Sequence, residues 1–293
     1  MISFKILLST LRGKQWIKNL FVLSPFLISI DLYRFENIYI ALMGFFSFSF
    51  ISSVVYILND ISDKELDILH PKKKKRPIAA GKVSIKLANF ICVLLLILTL
   101  LLVFNLESTF FLITILGFYL IINFFYSRIR FKEIPVLEFF IPAFGYPLRF
   151  LYGIILLGQP ISPWLYLVTF SFSLFLILGK RYIEFEHFKN LDTRKVLKSY
   201  SSNFLLLSLV ITSNLAIFSW IAFTFSEYAL TRYSEHIWIT SLLVTMGFLD
   251  YLRILLDKEN SSFEDPLDLV IENPSLLIIS MVFLFIFGFL TLL

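Results

Sequence analysis

Charge is scarce in this chain: Asp, Glu, Lys and Arg make up 16% of 293 residues, against 58% hydrophobic and 18% aromatic, with a mean hydropathy of +0.84. A soluble globular domain carries about a quarter charged residues, so that class is excluded and a bilayer protein is implied. Cysteine is scarcer still. The single Cys92 sits in the apolar run "FICVLLLILTLLLVF", which rules out a disulfide framework or a Cys-based metal site within one chain. His70 has no other histidine near it in sequence and suits a turn or hydrogen-bonding role rather than metal ligation. The first apolar span, entered through "LRGKQWIKN", lacks the small-x-small pattern of a cleaved signal peptide and is expected to be retained.

What the chain does have is apolar stretches of about 20 residues, each long enough as a helix to cross a hydrocarbon core of roughly 30 Å. Hydrocarbon leaves backbone N–H and C=O groups without partners, so helices are the default for these spans and the expected fold class is all-α. Nine spans are expected, near 19–33, 37–58, 87–104, 109–126, 135–157, 163–179, 203–225, 235–252 and 275–292. They read as one integral membrane domain over 1–293, with 1–18 an amphipathic segment lying in the interface.

With the N-terminus cytoplasmic, 23 of the 26 bases fall in that segment or in loops on the same side, at 59–86, 127–134, 179–202 and 253–274. Only Arg34 and Arg232 fall in outside loops, and Arg149 lies within a span. Positive charge concentrated on one side orients the protein as a multi-pass protein of the cell (inner) membrane. The formal charge of +5 is thereby explained by topology, and nucleic acid is not an expected partner.

The stretch "NDISDKELDILHPKKKKRPIAAGK", residues 59–82, packs four acids and seven bases between two apolar spans. Asn59, Asp63 and Asp67 stand at i, i+4 and i+8, and Asp60 precedes Asp63 by three, so helical spacing puts all four on one face. Carboxylates so close repel unless a cation neutralises them, and oxygen-only ligands suit Mg²⁺, which binds one or two carboxylates together with substrate phosphates and waters. Lys72 and Arg76 in the basic run that follows could neutralise phosphate oxygens. A solvated loop serving topology and anionic lipids is the competing reading.

Two more clusters stand out. In "YSRIRFKEIPVLEFFIPAFGYPLRFLYG", Glu138 and Arg149 fall inside an apolar span interrupted by Pro135, Pro142 and Pro147, where ionisable groups are costly enough to imply function, with a structural ion pair as the alternative. In "GKRYIEFEHFKNLDTRKVLKSY", Lys180 and Arg181 open the loop at the end of a span, where cations also complement a helix C-terminus.

At these residues the chain resembles the UbiA-type intramembrane prenyltransferases, "NDISDKELDILHPKKKKRPIAAG" being similar to their first aspartate-rich motif. "RGKQWIKN", "PVLEFF…PLRFLYG", "GKRYIEF", "LKSYSSNFL" and "EDPLDLVIENPSLL" resemble more particularly the decaprenyl-phosphate phosphoribosyltransferase branch. The resemblance implies a nine-helix bundle whose polar cavity opens to the cytoplasm. Ordinary members use a second aspartate motif, whereas no Asp occurs here between Asp67 and Asp192 and the corresponding region offers Glu138. The family pattern also places an aromatic residue five before the loop lysine, and Tyr126 lies six before Lys132.

The expected function is Mg²⁺-dependent transfer of 5-phosphoribose from phosphoribosyl diphosphate (PRPP) to a polyprenyl phosphate, with release of diphosphate. Asp60, Asp63 and Asp67 are the expected catalytic and metal residues. Asn59, Lys14, Lys18, Lys72, Arg76, Lys132, Glu138, Arg149, Lys180, Arg181 and Tyr182 are the expected substrate-binding set. Expected partners are the two substrates, the bilayer and, as an option left open, a second copy of the chain. The rivals are prenyl transfer from a diphosphate to an aromatic acceptor, and a transporter or lipid-binding protein, which would instead need its ionisable sites near the midplane.

Overall fold

The computed structural model describes residues 3–28, 34–69, 73–104, 106–187, 195–257 and 272–292. In chain order they form α1 (Phe4–Thr10), a 3₁₀ segment (Gly13–Leu23), α2 (Pro25–Ile28), α3 (Phe35–Ser62), α4 (Lys64–Leu69), α5 (Ile85–Val103), α6 (Thr109–Arg128), α7 (Leu137–Ala143), α8 (Gly145–Leu156), α9 (Pro163–His187), α10 (Ser202–Thr224), α11 (Glu227–Leu230), α12 (Thr240–Leu256) and α13 (Pro274–Leu292). The described residues contain no strand.

Eight described helical stretches are long and apolar enough to cross a membrane, and they begin and end within a few residues of eight of the nine expected spans, save the C-terminal end of the stretch expected at 163–179, which runs on to Glu186. The span expected at 19–33 differs. Its described part is the 3₁₀ segment followed by the single turn of α2, because Pro25 removes a backbone donor and the polar Asn19 is drawn to partners on another helix. The interfacial segment is not one helix either, since α1 ends at a left-handed Arg12, φ 51°.

Capping chemistry explains several helix starts. Ser84 and Ser201 accept backbone N–H bonds from Leu87 and Phe204 at the beginnings of α5 and α10. Pro163 and Pro274 open α9 and α13, positions where a missing N–H costs nothing.

The chain folds as two compact units. The first comprises Met1–Phe26, Asp31–Phe131 and Leu148–Pro160; the second comprises Leu27–Ile30, Lys132–Pro147 and Ile161–Leu293. Phe48, Tyr119 and Tyr152 form the aromatic centre of the first, with ring centroids 5.0 and 5.4 Å apart. Phe175, Phe248 and Tyr251 play that part in the second.

In the first unit the 3₁₀ segment is fastened to α3. Trp16 donates to Ser53 (3.0 Å), and Asn19 donates to Ser49 and Ser52 (3.0 and 3.1 Å). Small serines let the two backbones approach while meeting the segment's polar groups. The segment also lies so close to α8 that a Cβ added to Gly153 would stand 2.1 Å from the Val22 carbonyl oxygen. Gly153→Ala is therefore expected to destabilise the protein by about 1–3 kcal/mol, the usual cost of overpacking, since backbone cannot swing aside like a flexible side chain. A thermal unfolding midpoint equal to wild type in detergent would show that the segment can give way.

Candidate functional site

The stretch rich in acids and bases is built on the end of α3. The helix stops at Ser62, yet Asp63 N–H still donates to Asn59 (2.9 Å) and Asp67 N–H to Asp63 (2.8 Å), so the four-residue spacing passes through the break into α4. Asp60 and Asp67 are each only 3% exposed, and Asp63 is half-buried. Buried carboxylates demand neutralisation. Arg12 donates through Nε to Asp60 (3.3 Å) and pairs through Nη2 with its other oxygen. Arg76 Nη1 donates to both Asp60 (3.1 Å) and Asp67 (2.6 Å).

Arg76 is placed by its neighbours. Ile78 and Val83 are buried among Val54, Ile57 and Ala88, anchoring the basic loop in the helix core. Between them the chain turns with Ala80 N–H donating to the Arg76 carbonyl and Gly81 at φ 71°, a conformation glycine adopts without strain. Arg12 reaches Asp60 through its own left-handed turn and lies over the Tyr56 ring, 5.1 Å from the centroid.

Deeper in the same unit Arg149, 4% exposed, donates through Nε to Asn19 (2.7 Å) and through Nη2 to Tyr119 (3.1 Å), with the Phe48 and Tyr119 rings 4.9 and 5.2 Å from its guanidinium carbon. Aromatic faces and neutral oxygens thus receive a cation inside a membrane-spanning helix. Lys14 is exposed and Lys18 half-buried on the 3₁₀ segment. Asn59 lines a cleft of about 100 Å³ with Asn123, Ser127 and Arg128.

The second unit holds its own charged cluster. Glu138, fully buried at 0% exposure, accepts from Arg181 Nε through both oxygens (3.1 and 2.8 Å). Arg181, 5% exposed, also donates through Nη1 to Glu184 (2.6 Å). Glu138 stands in the first turn of α7, and Val136, just before the helix, has φ 70°, a strained value for a β-branched side chain. The Val136 N–H donates to the Tyr200 hydroxyl (2.8 Å), which holds that conformation. Pro142 interrupts the span, and Ser173 of α9 donates to the Ala143 carbonyl (2.7 Å) at the break. Lys132, Lys180 and Tyr182 are half-buried in this unit. His70 and Lys72 lie outside the described residues, as does most of the loop expected at 253–274.

Sequence reasoning passed over Arg12, Asn19 and Tyr119. Arg12 and Asn19 both stand in "LRGKQWIKN", but the lysines were the obvious bases there, and nothing local points to Asp60, 48 residues away.

Residues 22–265 match the UbiA prenyltransferase family. The chain belongs to that family. Arg12 and Asn19 precede the matched stretch. The chain is similar to the decaprenyl-phosphate phosphoribosyltransferase of Corynebacterium glutamicum, 33% identical over 203 residues, which are 68% of this chain and 61% of that protein. It is similar also to the decaprenyl-phosphate phosphoribosyltransferase of Mycobacterium tuberculosis, 33% identical over 201 residues, 67% of this chain and 66% of the relative. The chain thus spans slightly less than two thirds of the length of these relatives. In fold it is similar to a UbiA homolog from Archaeoglobus fulgidus bound to GPP and Mg²⁺, with a TM-score of 0.72 at 23% identity, covering 97% of this chain and 98% of that one. Together with the apolar helices, membership makes this a multi-pass membrane protein of the UbiA fold.

Among the described residues no three of His, Cys, Asp and Glu converge as a ready-made metal cage. The donor set of the first unit nonetheless fits Mg²⁺. It is oxygen-only, and Asp60 and Asp67 already direct oxygens at one cationic point, Arg76 Nη1. Two carboxylates are as many as a phosphate-bridging Mg²⁺ ordinarily takes from protein.

Proposed function

We propose that this protein is an enzyme that transfers 5-phosphoribose from PRPP to a polyprenyl phosphate and releases diphosphate, with its N-terminus and reacting groups on the cytoplasmic side. The observation that carries the reading is the pair of buried aspartates, Asp60 and Asp67, bridged by Arg76 at the end of a membrane-spanning helix. The names of the relatives in Corynebacterium and Mycobacterium support the phosphoribosyl donor.

An oxygen of the lipid phosphate attacks C1 of the ribose. The bond from C1 to the diphosphate oxygen breaks, and the diphosphate leaves with the electron pair. The acceptor is ionised near neutral pH, so no general base is required. Charge building at C1 has the oxocarbenium character of glycosyl transfer generally. Asp60, Asp63 and Asp67 would hold Mg²⁺, whose contribution is to neutralise the departing diphosphate. Arg76, with Lys14 and Lys18 of the same unit, would meet phosphate oxygens; in the second unit Lys132, Lys180 and Tyr182 carry the same expectation.

A second reading, transfer of a prenyl group from its diphosphate to an aromatic acceptor, is favoured by the Archaeoglobus neighbour bound to GPP and Mg²⁺. One experiment decides between them. Purified protein with Mg²⁺ and polyprenyl phosphate is expected to incorporate labelled PRPP into lipid, and not to join prenyl diphosphate to an aromatic acid. Product only from the second pair would sink the phosphoribosyl reading.

A further inference from the structure

Asp60 and Asp67 lie underneath their cations. The carboxylates are almost wholly shielded, whereas the side chains of Arg12 and Arg76 are 20% and 26% exposed. The two aspartates and two arginines also cancel in charge. A divalent ion arriving alone therefore meets the guanidinium groups first, which repel it, and finds Asp60 and Asp67 already paired. A diphosphate meets the same groups as a partner, because the planar guanidinium fork matches phosphate oxygens as well as it matches carboxylate.

We propose that Arg12 and Arg76 are exchange residues: they occupy the cation positions of Asp60 and Asp67 in the resting protein, and turn outward to the diphosphate when donor and metal enter together. Each carboxylate keeps a cationic neighbour throughout, so at no stage is a buried charge left alone, which would cost more than the exchange itself. Tyr56 supports the movement. Its ring, 5.1 Å from the guanidinium carbon of Arg12, gives that side chain a contact that does not depend on Asp60. The consequence is an order of events, in which metal uptake depends on the diphosphate and free metal is held poorly. This rests on the reading that the first unit handles a diphosphate with a divalent ion, and is independent of which group the diphosphate activates.

Mn²⁺, visible by electron paramagnetic resonance, serves as the probe on the full chain in detergent, alone and with inorganic diphosphate. Wild type should retain Mn²⁺ with diphosphate and hold it weakly without. Arg12→Gln should reverse this, binding Mn²⁺ alone at least about tenfold more tightly, a modest value for removing one nearby unit charge, while its diphosphate-dependent uptake falls. Asp60 keeps Arg76 in that variant, so a thermal unfolding midpoint near wild type is expected. Arg76→Gln must give the same two opposed changes. If wild type takes up Mn²⁺ with diphosphate but neither variant gains affinity for Mn²⁺ alone, the exchange is wrong and the metal–diphosphate reading survives. If no uptake occurs with diphosphate, both fall.

Discussion

Replacing Asp63 by Asn is expected to lower turnover by at least about a hundredfold, the scale of removing one group aimed at developing charge, while the unfolding midpoint stays close to wild type. The contrast follows from where the three aspartates sit. Asp60 and Asp67 are buried and neutralised by arginine, so their loss disturbs the fold as well as the chemistry. Asp63 is half-buried, one turn from each of them along the helical face, and its place at the α3–α4 break is held by backbone hydrogen bonds that Asn preserves. Product formation and thermal unfolding measured on the same preparation check both halves. Near-normal activity in a folded Asp63→Asn protein would return the stretch to a solvated loop.

Arg181→Ala has its largest expected effect on stability. The side chain is paired with Glu138 and Glu184, and its loss leaves the fully buried Glu138 carboxylate without that counter-charge, a change that costs about 3–5 kcal/mol in buried pairs. The double replacement Glu138→Leu with Arg181→Met should recover most of the loss, because apolar side chains of similar size often replace a buried ion pair without penalty. Unfolding midpoints of the three proteins in detergent test this. A wild-type midpoint for Arg181→Ala, with a raised KM for PRPP, would instead give Arg181 the donor-gripping part that "GKRY" suggests.

These two cases mark where the sequence was legible. Eight spans could be read because length and hydropathy alone decide whether a helix can cross a bilayer. The aspartate face could be read because a spacing of four is local, and it passes through the break at Asp63 intact. Partner choice was not legible. Arg149 meets Asn19 across 130 residues and Arg181 meets Glu138 across 43, so no periodicity links them. The first span misled for a different reason. Residues 19–33 are apolar enough to suggest a continuous helix, but Asn19 is committed to serines on α3 and Pro25 lacks the donor a helix interior needs.

The fastening of the 3₁₀ segment also sets a schedule for the newly made chain. Asn19 finds Ser49 and Ser52 30 and 33 residues later, but its bond from Arg149 must wait 130 residues. At a synthesis rate of about 5–20 residues per second, the serines follow Asn19 within roughly 2–7 s and Arg149 only after roughly 6–26 s. During that interval α3, with Ile78, Val83 and α5 packed beside it, holds the beginning of the chain without α8. A chain stopped before α8 would therefore hold Asn19 by its serines alone, one bond short of the finished unit.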